Sequence, residues 1–137
     1  MITNRGVVGR GAAGVALVLL SVTACSGSSS GPSVPKSAAA GVSAIPSGDP
    51  TPTAGRVSAA VLHKDTGGVN ASYVGVSSAQ AKSYRAGLVK DGWTRVGGEV
   101  TAKQDGIDNY EKEKTHHSIG VGYDSAKRLL TVAYYPG

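Results

Sequence analysis

The adjacent histidines at 116 and 117 carry the most obvious chemistry in this chain. Imidazoles hold zinc or copper when a third ligand joins them. Neighbours on a strand point to opposite faces, so His116 and His117 share one metal ion only if a turn distorts them; His63 joins only if the fold delivers it. The other reading is two turn histidines. Asp105, Asp108, Asn109 and Glu111 bring oxygen ligands together, with Asp105 and Asp108 the better calcium candidates. Their spacing and missing central glycine depart from a calcium loop, which favours a solvated acidic turn. Tyr123, Tyr134 and Tyr135 with Arg128 could form a stacking platform for sugars or nucleic acid, or divide between a core and an exposed face. The Gly-x-Ser-x-Gly string at Gly27 to Gly31 lies in a Ser/Gly-rich stretch and not between a strand and a helix, so it makes no nucleophile elbow, and Gly67-Gly68 and Gly97-Gly98 lack the spacing of a phosphate loop. The expectation is therefore no catalytic residue, no cofactor, and no metal site beyond the weak candidates named.

These residues need elements to position them. Arg56 to His63 and Val69 to Val76 read as a hairpin across the turn cluster Lys64 to Gly68, with Val57, Ala59 and Val61 on one face of the first strand. Ser77 and Gln80 have capping-box spacing and open a helix. Ala81, Tyr84 and Leu88 form its apolar stripe, Arg85 lays its stem beside that stripe, and Gly92 ends the helix. Gly87 inside this helix implies close packing on a sheet. Trp93 is expected to pack back under the helix. An irregular strand lies between Gly97-Gly98 and Gln104 to Gly106. Tyr110 to Lys114 alternates charge as an exposed strand guarded against edge pairing does. Ile119, Val121 and Tyr123 alternate with Gly120 and Gly122, and Arg128 to Tyr135 is the strongest strand. The fold class predicted is α+β: strand, strand, helix, then three or four strands, an antiparallel sheet with one helix on one face.

Composition fixes the setting. A chain of 137 residues with 17% charged and 5% aromatic side chains has room for one small domain. Residues 1–24 run from Arg5 and Arg10 through an uncharged apolar stretch to small residues, the order of a secretory signal peptide. The apolar run is too short for a spanning helix, which needs about 20 residues. Removing that segment takes Arg5 and Arg10 from the 14 basic residues, leaving 12 against 9 acids and a net charge of +3. So modest and scattered a charge argues against a nucleic-acid partner.

Val22-Thr23-Ala24-Cys25 resembles the lipobox of bacterial lipoproteins, and Cys25 is the single cysteine of the chain. The resemblance implies diacylglycerol on the Cys25 thiol, cleavage just before it, and a protein held on the outer face of the cell membrane through acylated Cys25. Residues 25–55 would then be the lipidated N-terminus and a flexible tether. Ser26 to Gly55 holds 8 Ser, 5 Gly, 5 Pro and 5 Ala among 30 residues, too little apolar surface to offset ordering entropy. Residues 56–137 would be the small α+β domain. The block from Tyr84 to Tyr135 resembles small, functionally unassigned lipoprotein domains of high-GC Gram-positive bacteria. Together these imply a non-catalytic binding or interaction module that uses the sheet face away from the helix, with an envelope protein or ligand as partner. The alternatives are a structural or accessory envelope factor, or a small metal-binding lipoprotein.

Overall fold

The computed structural model describes residues 34–137. The expectations for the signal peptide, Cys25 and the first part of the tether lie outside the described residues. The fold is α+β. Six strands, β1 (Arg56–His63), β2 (Gly68–Val74), β3 (Thr94–Val100), β4 (Gly106–Lys112), β5 (His117–Asp124) and β6 (Leu129–Tyr135), pair antiparallel in the spatial order β1-β2-β6-β5-β4-β3. The C-terminal strand thus lies in the middle, joining the first hairpin to the strands that follow the helix. Leu130, Val132 and Tyr134 alternate along β6 and are fully buried, which explains why the most apolar strand takes a central place. Four strands follow the helix, at the upper end of the three or four expected.

Two helices, α1 (Lys36–Ser43) and α2 (Ser78–Lys90), accompany the sheet. The start of α2 is the capping box read from the sequence: the Gln80 amide donates to Ser77 Oγ at 3.2 Å and the Ser77 amide to Gln80 Oε1 at 2.9 Å. At its end, Gly92 takes φ +89°, the Gly92 amide donates to the Val89 carbonyl, and the Trp93 amide donates to that of Leu88. That pair of bonds is the Schellman closure, and it turns Trp93 back onto Leu88, leaving the indole 2% exposed.

Helix α1 is a correction to the tether. Residues 36–55 belong to the folded unit. Ala38 is fully buried in the same core as the sheet residues, and a Cβ on Gly41 would lie 2.5 Å from the Ala60 carbonyl oxygen, so only glycine permits this approach to β1. The segment that follows is strapped down by polar contacts. The Pro50 carbonyl accepts from the hydroxyls of Tyr84 at 2.9 Å and Tyr134 at 3.2 Å. Asp49 pairs with His117 Nδ1 at 2.9 Å. Small side chains bury little area each, so their composition imitates a linker. Their close approach and these three polar contacts supply the docking instead.

Further corrections follow from the register. A bulge between Val57 and Ala59 sends Val57 and Ala60 to one side of β1 and Ala59 and Val61 to the other. Strand β4, expected to guard an edge, is interior, paired with β3 and β5; β3 is the edge on that side. A Cβ on Gly87 would meet nothing within 4 Å, so this glycine does not serve packing on the sheet. It lines a groove of about 410 Å³ between α2 and residues 50–54. Gly87→Ala should therefore raise stability by about 1 kcal/mol, measured as a shift of the urea midpoint with unchanged slope.

Burial raises the pKa of the Tyr73, Tyr84, Tyr110 and Tyr134 hydroxyls above the phenol range, and at Tyr110 the neighbouring Asp108 carboxylate adds to the effect. Each folded-state value lies above the unfolded one. The stability they contribute is complete below the ordinary value near 10 and is lost as pH climbs beyond it. Thermal melts from pH 8 to 12 should show a falling midpoint above about pH 10, with tyrosinate absorbance from these four groups appearing only as the fold opens. Tyr134→Phe should flatten that alkaline limb.

Candidate functional site

One face of the sheet is covered by α1, residues 44–55 and α2; the other is open. Strand alternation divides the side chains cleanly. Val69, Ala71 and Tyr73 of β2, Ile119, Val121 and Tyr123 of β5, and Asp108 and Tyr110 of β4 are buried on the covered side. Between them stand the residues of the open face. Register sets these in cross-strand rows: Ser72, Thr131, Gly122 and Ile107 in one, and Asn70, Ala133, Gly120 and Asn109 in the next. None of the eight is charged. The two glycines leave backbone as the floor of a trough of about 510 Å³, with Ile107 on one wall and Leu129 and Tyr135 on the other.

Large apolar groups stand proud around this floor. Ile107 is 64% exposed, Val61 54% and Tyr135 45%. The Asn109 carboxamide oxygen leans over Gly120. Asn70 Oδ1 is buried with no hydrogen-bond partner in the structure. Charge is confined to the rim, where Arg56 shares a β1 row with Val74, and Glu99 and Glu111 share rows with Ile107 and Ser118. Asp124 closes one end and pairs with Lys127 at 3.4 Å. Such a surface is chemically suited to recognition by shape, apolar contact and neutral hydrogen bonds.

The residues singled out from the sequence are dispersed. His116 sits in the β4–β5 turn at φ +59°, while His117 turns inward to Asp49. Asp105 accepts from the Ser125 amide and, at 2.7 Å, from its hydroxyl, bonds that lower the carboxyl pKa, the backbone one most. Asp108 is on the covered side, 2% exposed. It accepts from Arg85 Nε at 2.8 Å and Tyr110 OH at 2.6 Å, with Arg95 Nε at 3.3 Å. Arg85 lies along the helix stripe with Ala81 and Leu88, and its guanidinium is buried as well. It is 6% exposed, and its remaining N–H groups reach the Gln104, Gly106 and Val121 carbonyls. Among the described residues, no three of His, Cys, Asp and Glu gather where they could hold a metal ion. The tyrosine platform is also split: Tyr123 and Tyr134 face the helices, Tyr135 lines the trough, and Arg128 donates to the Gly75 carbonyl. The alternation of Gly120 and Gly122 with buried Ile119, Val121 and Tyr123 is the sequence signal that could have located the trough. No family model, no curated protein and no solved structure matches this chain.

Proposed function

We propose that this chain is a lipid-anchored, extracytoplasmic envelope protein whose folded unit is a non-catalytic interaction module working through the open sheet face. The observation that carries this reading is the face itself. Its middle rows hold no charge, its floor is bare backbone, and exposed Ile107, Val61 and Tyr135 surround it. Monomeric domains seldom leave an uncharged, partly apolar surface with a polar rim facing water without a use for it. The polar groups that could have formed a reactive centre are engaged with one another, His117 with Asp49 and Asp108 with Arg85.

The anchor rests on the lipobox resemblance at Val22 to Cys25. Among the described residues, no helix is long and apolar enough to cross a membrane. With α1 beginning at Lys36, only residues 26–35 separate Cys25 from the folded unit. Whatever their conformation, they span at most about 35 Å at about 3.5 Å per residue. The module is held close to the bilayer, on a leash much shorter than the composition of residues 26–55 implies.

Two measurements test the reading. Cys25→Ala should abolish lipid labelling and release the protein from the membrane; a labelled, membrane-bound variant would overturn the anchor. A photo-cross-linking residue placed at Thr131, on the open face, should give discrete adducts in native membranes, while the same residue at Lys82 on α2 should not. Adducts from Lys82 alone would overturn the role of the open face.

A further inference from the structure

We infer that the partner of the open face is a second copy of this chain, packed sheet on sheet about a twofold axis that runs along the strands between β6 and β5. This rests on the reading of the open face as an interaction surface and names its occupant. Six strands about 4.8 Å apart and about seven residues long, at about 3.3 Å per residue, present roughly 650 Å² per copy. Two such faces bury about 1,300 Å², within the range of about 1,200–2,000 Å² for stable interfaces.

The twofold lays β6 on β5 of the partner, β2 on β4, and β1 on β3, and it keeps each row at its own level. Large groups then meet small ones. Ile107 comes over Ser72, Tyr135 over Ser118, Thr131 over Gly122 and Ala133 over Gly120, in both directions. Asn70 comes over Asn109, a neutral carboxamide against a neutral carboxamide. Two rows set a carboxylate against an apolar group: Asp124 against Leu129, where Lys127 already neutralises the acid at the rim, and Glu99 against Ala59, whose next neighbour on that face of β1 is Arg56. Aligned sheets cross at about 30°, so the match is closest in the middle rows and loosest at the corners.

Charge selects this axis over the other in-plane choice. The β1 edge of the face is basic through Arg56, and the β3–β4 edge is acidic through Glu99 and Glu111. An axis along the strands places each basic edge on the partner's acidic edge. An axis across the strands would set basic on basic and acidic on acidic, which opposes association.

The test uses the full chain in its native membrane. With Asn70→Cys and Asn109→Cys together, a short bismaleimide should give a band of twice the chain mass. The wild-type chain, with Cys25 alone, should give none, and neither should the chain with Lys82→Cys and Lys90→Cys on α2. Arg56→Glu and Glu99→Arg should each reduce the cross-linked fraction, raising the dimer Kd on the order of tenfold. The double reversal should restore it, a rescue that a folding defect cannot produce. Gly120→Arg, which fills the trough, should abolish the band. Absence of the double-mass band, its persistence with Gly120→Arg, or failure of the double reversal to restore it would overturn the inference. Thr131 adducts to a different molecule, without the double-mass band, would overturn self-association and leave the interaction surface standing. Adducts from Lys82 alone would remove both.

Discussion

Asp108→Asn should lower the unfolding free energy by about 3–5 kcal/mol, measured by urea denaturation at neutral pH. The carboxylate is 2% exposed and meets two guanidinium groups, Arg85 and Arg95, and the Tyr110 hydroxyl. An amide keeps the shape but leaves the Arg85 cation, itself 6% exposed, without a counter-charge. Carbonyls of Gln104, Gly106 and Val121 still accept from Arg85, so the side chain stays where it is and carries the full penalty of an uncompensated buried charge. Desolvating two ions is expensive, and their attraction offsets this only with good geometry, so removing the whole network should cost far less than breaking it. The combination Arg85→Met, Asp108→Leu and Tyr110→Phe should recover most of the loss, because no buried charge is left without a partner and Arg95, the remaining cation, is 46% exposed. A single variant as stable as wild type would show that water reaches this site and screens it. The same network ties α2 to the turn before β4 and to β5, so the single variant should also loosen residues 101–106 in hydrogen exchange.

Local grammar was legible in the sequence and long-range docking was not. Ser77 with Gln80, and Gly92 ahead of Trp93, act within one helical turn, where residue type determines the hydrogen bond; both ends of α2 stand as expected. The alternation of Ile119, Val121 and Tyr123 with Gly120 and Gly122 along β5 was likewise legible, because side-chain direction follows the pleat. Helix α1 left no such trace. KSAAAGVS has no side-chain cap and mostly small side chains, and its position depends on how near Gly41 can come to Ala60, a property of the assembled sheet. Asp49 and His117 are 68 residues apart, and nothing local marks one as the other's partner. Arg85 and Asp108 were hidden for a related reason: a charged residue beside a helix stripe and an acid in a polar run usually face water, and only the tertiary fold turns both inward. The bulge in β1 shifted one residue and moved Ala59 and Val61 to the face opposite Val57, as any one-residue slip does where the period is two. The open face was legible as glycines interleaved with core residues, and its row-by-row complementarity only after the strand order was known.

Trp93→Ala should cost about 3–5 kcal/mol, the range for removing a large aromatic from a core. The indole is 2% exposed at the junction of α2 and β3, packed back on Leu88 by the Schellman turn, with the Lys112 ammonium 5.5 Å from the ring centroid. Two terms add in this substitution: the transfer free energy of the lost ring and the cavity left where the backbone turn, fixed by Gly92 at φ +89°, cannot close in. Trp93→Phe separates packing from polarity. The indole Nε1 is buried and has no hydrogen-bond partner in the structure, so replacing it with carbon removes a desolvated donor while retaining much of the ring. Phe should therefore recover well over half of the loss seen with Ala. If Phe is as damaging as Ala, the indole N–H contributes a bond that the packing of α2 on the sheet does not account for. If Ala is harmless, the ring is not part of the core and the C-terminal closure of α2 does not anchor the helix to the sheet.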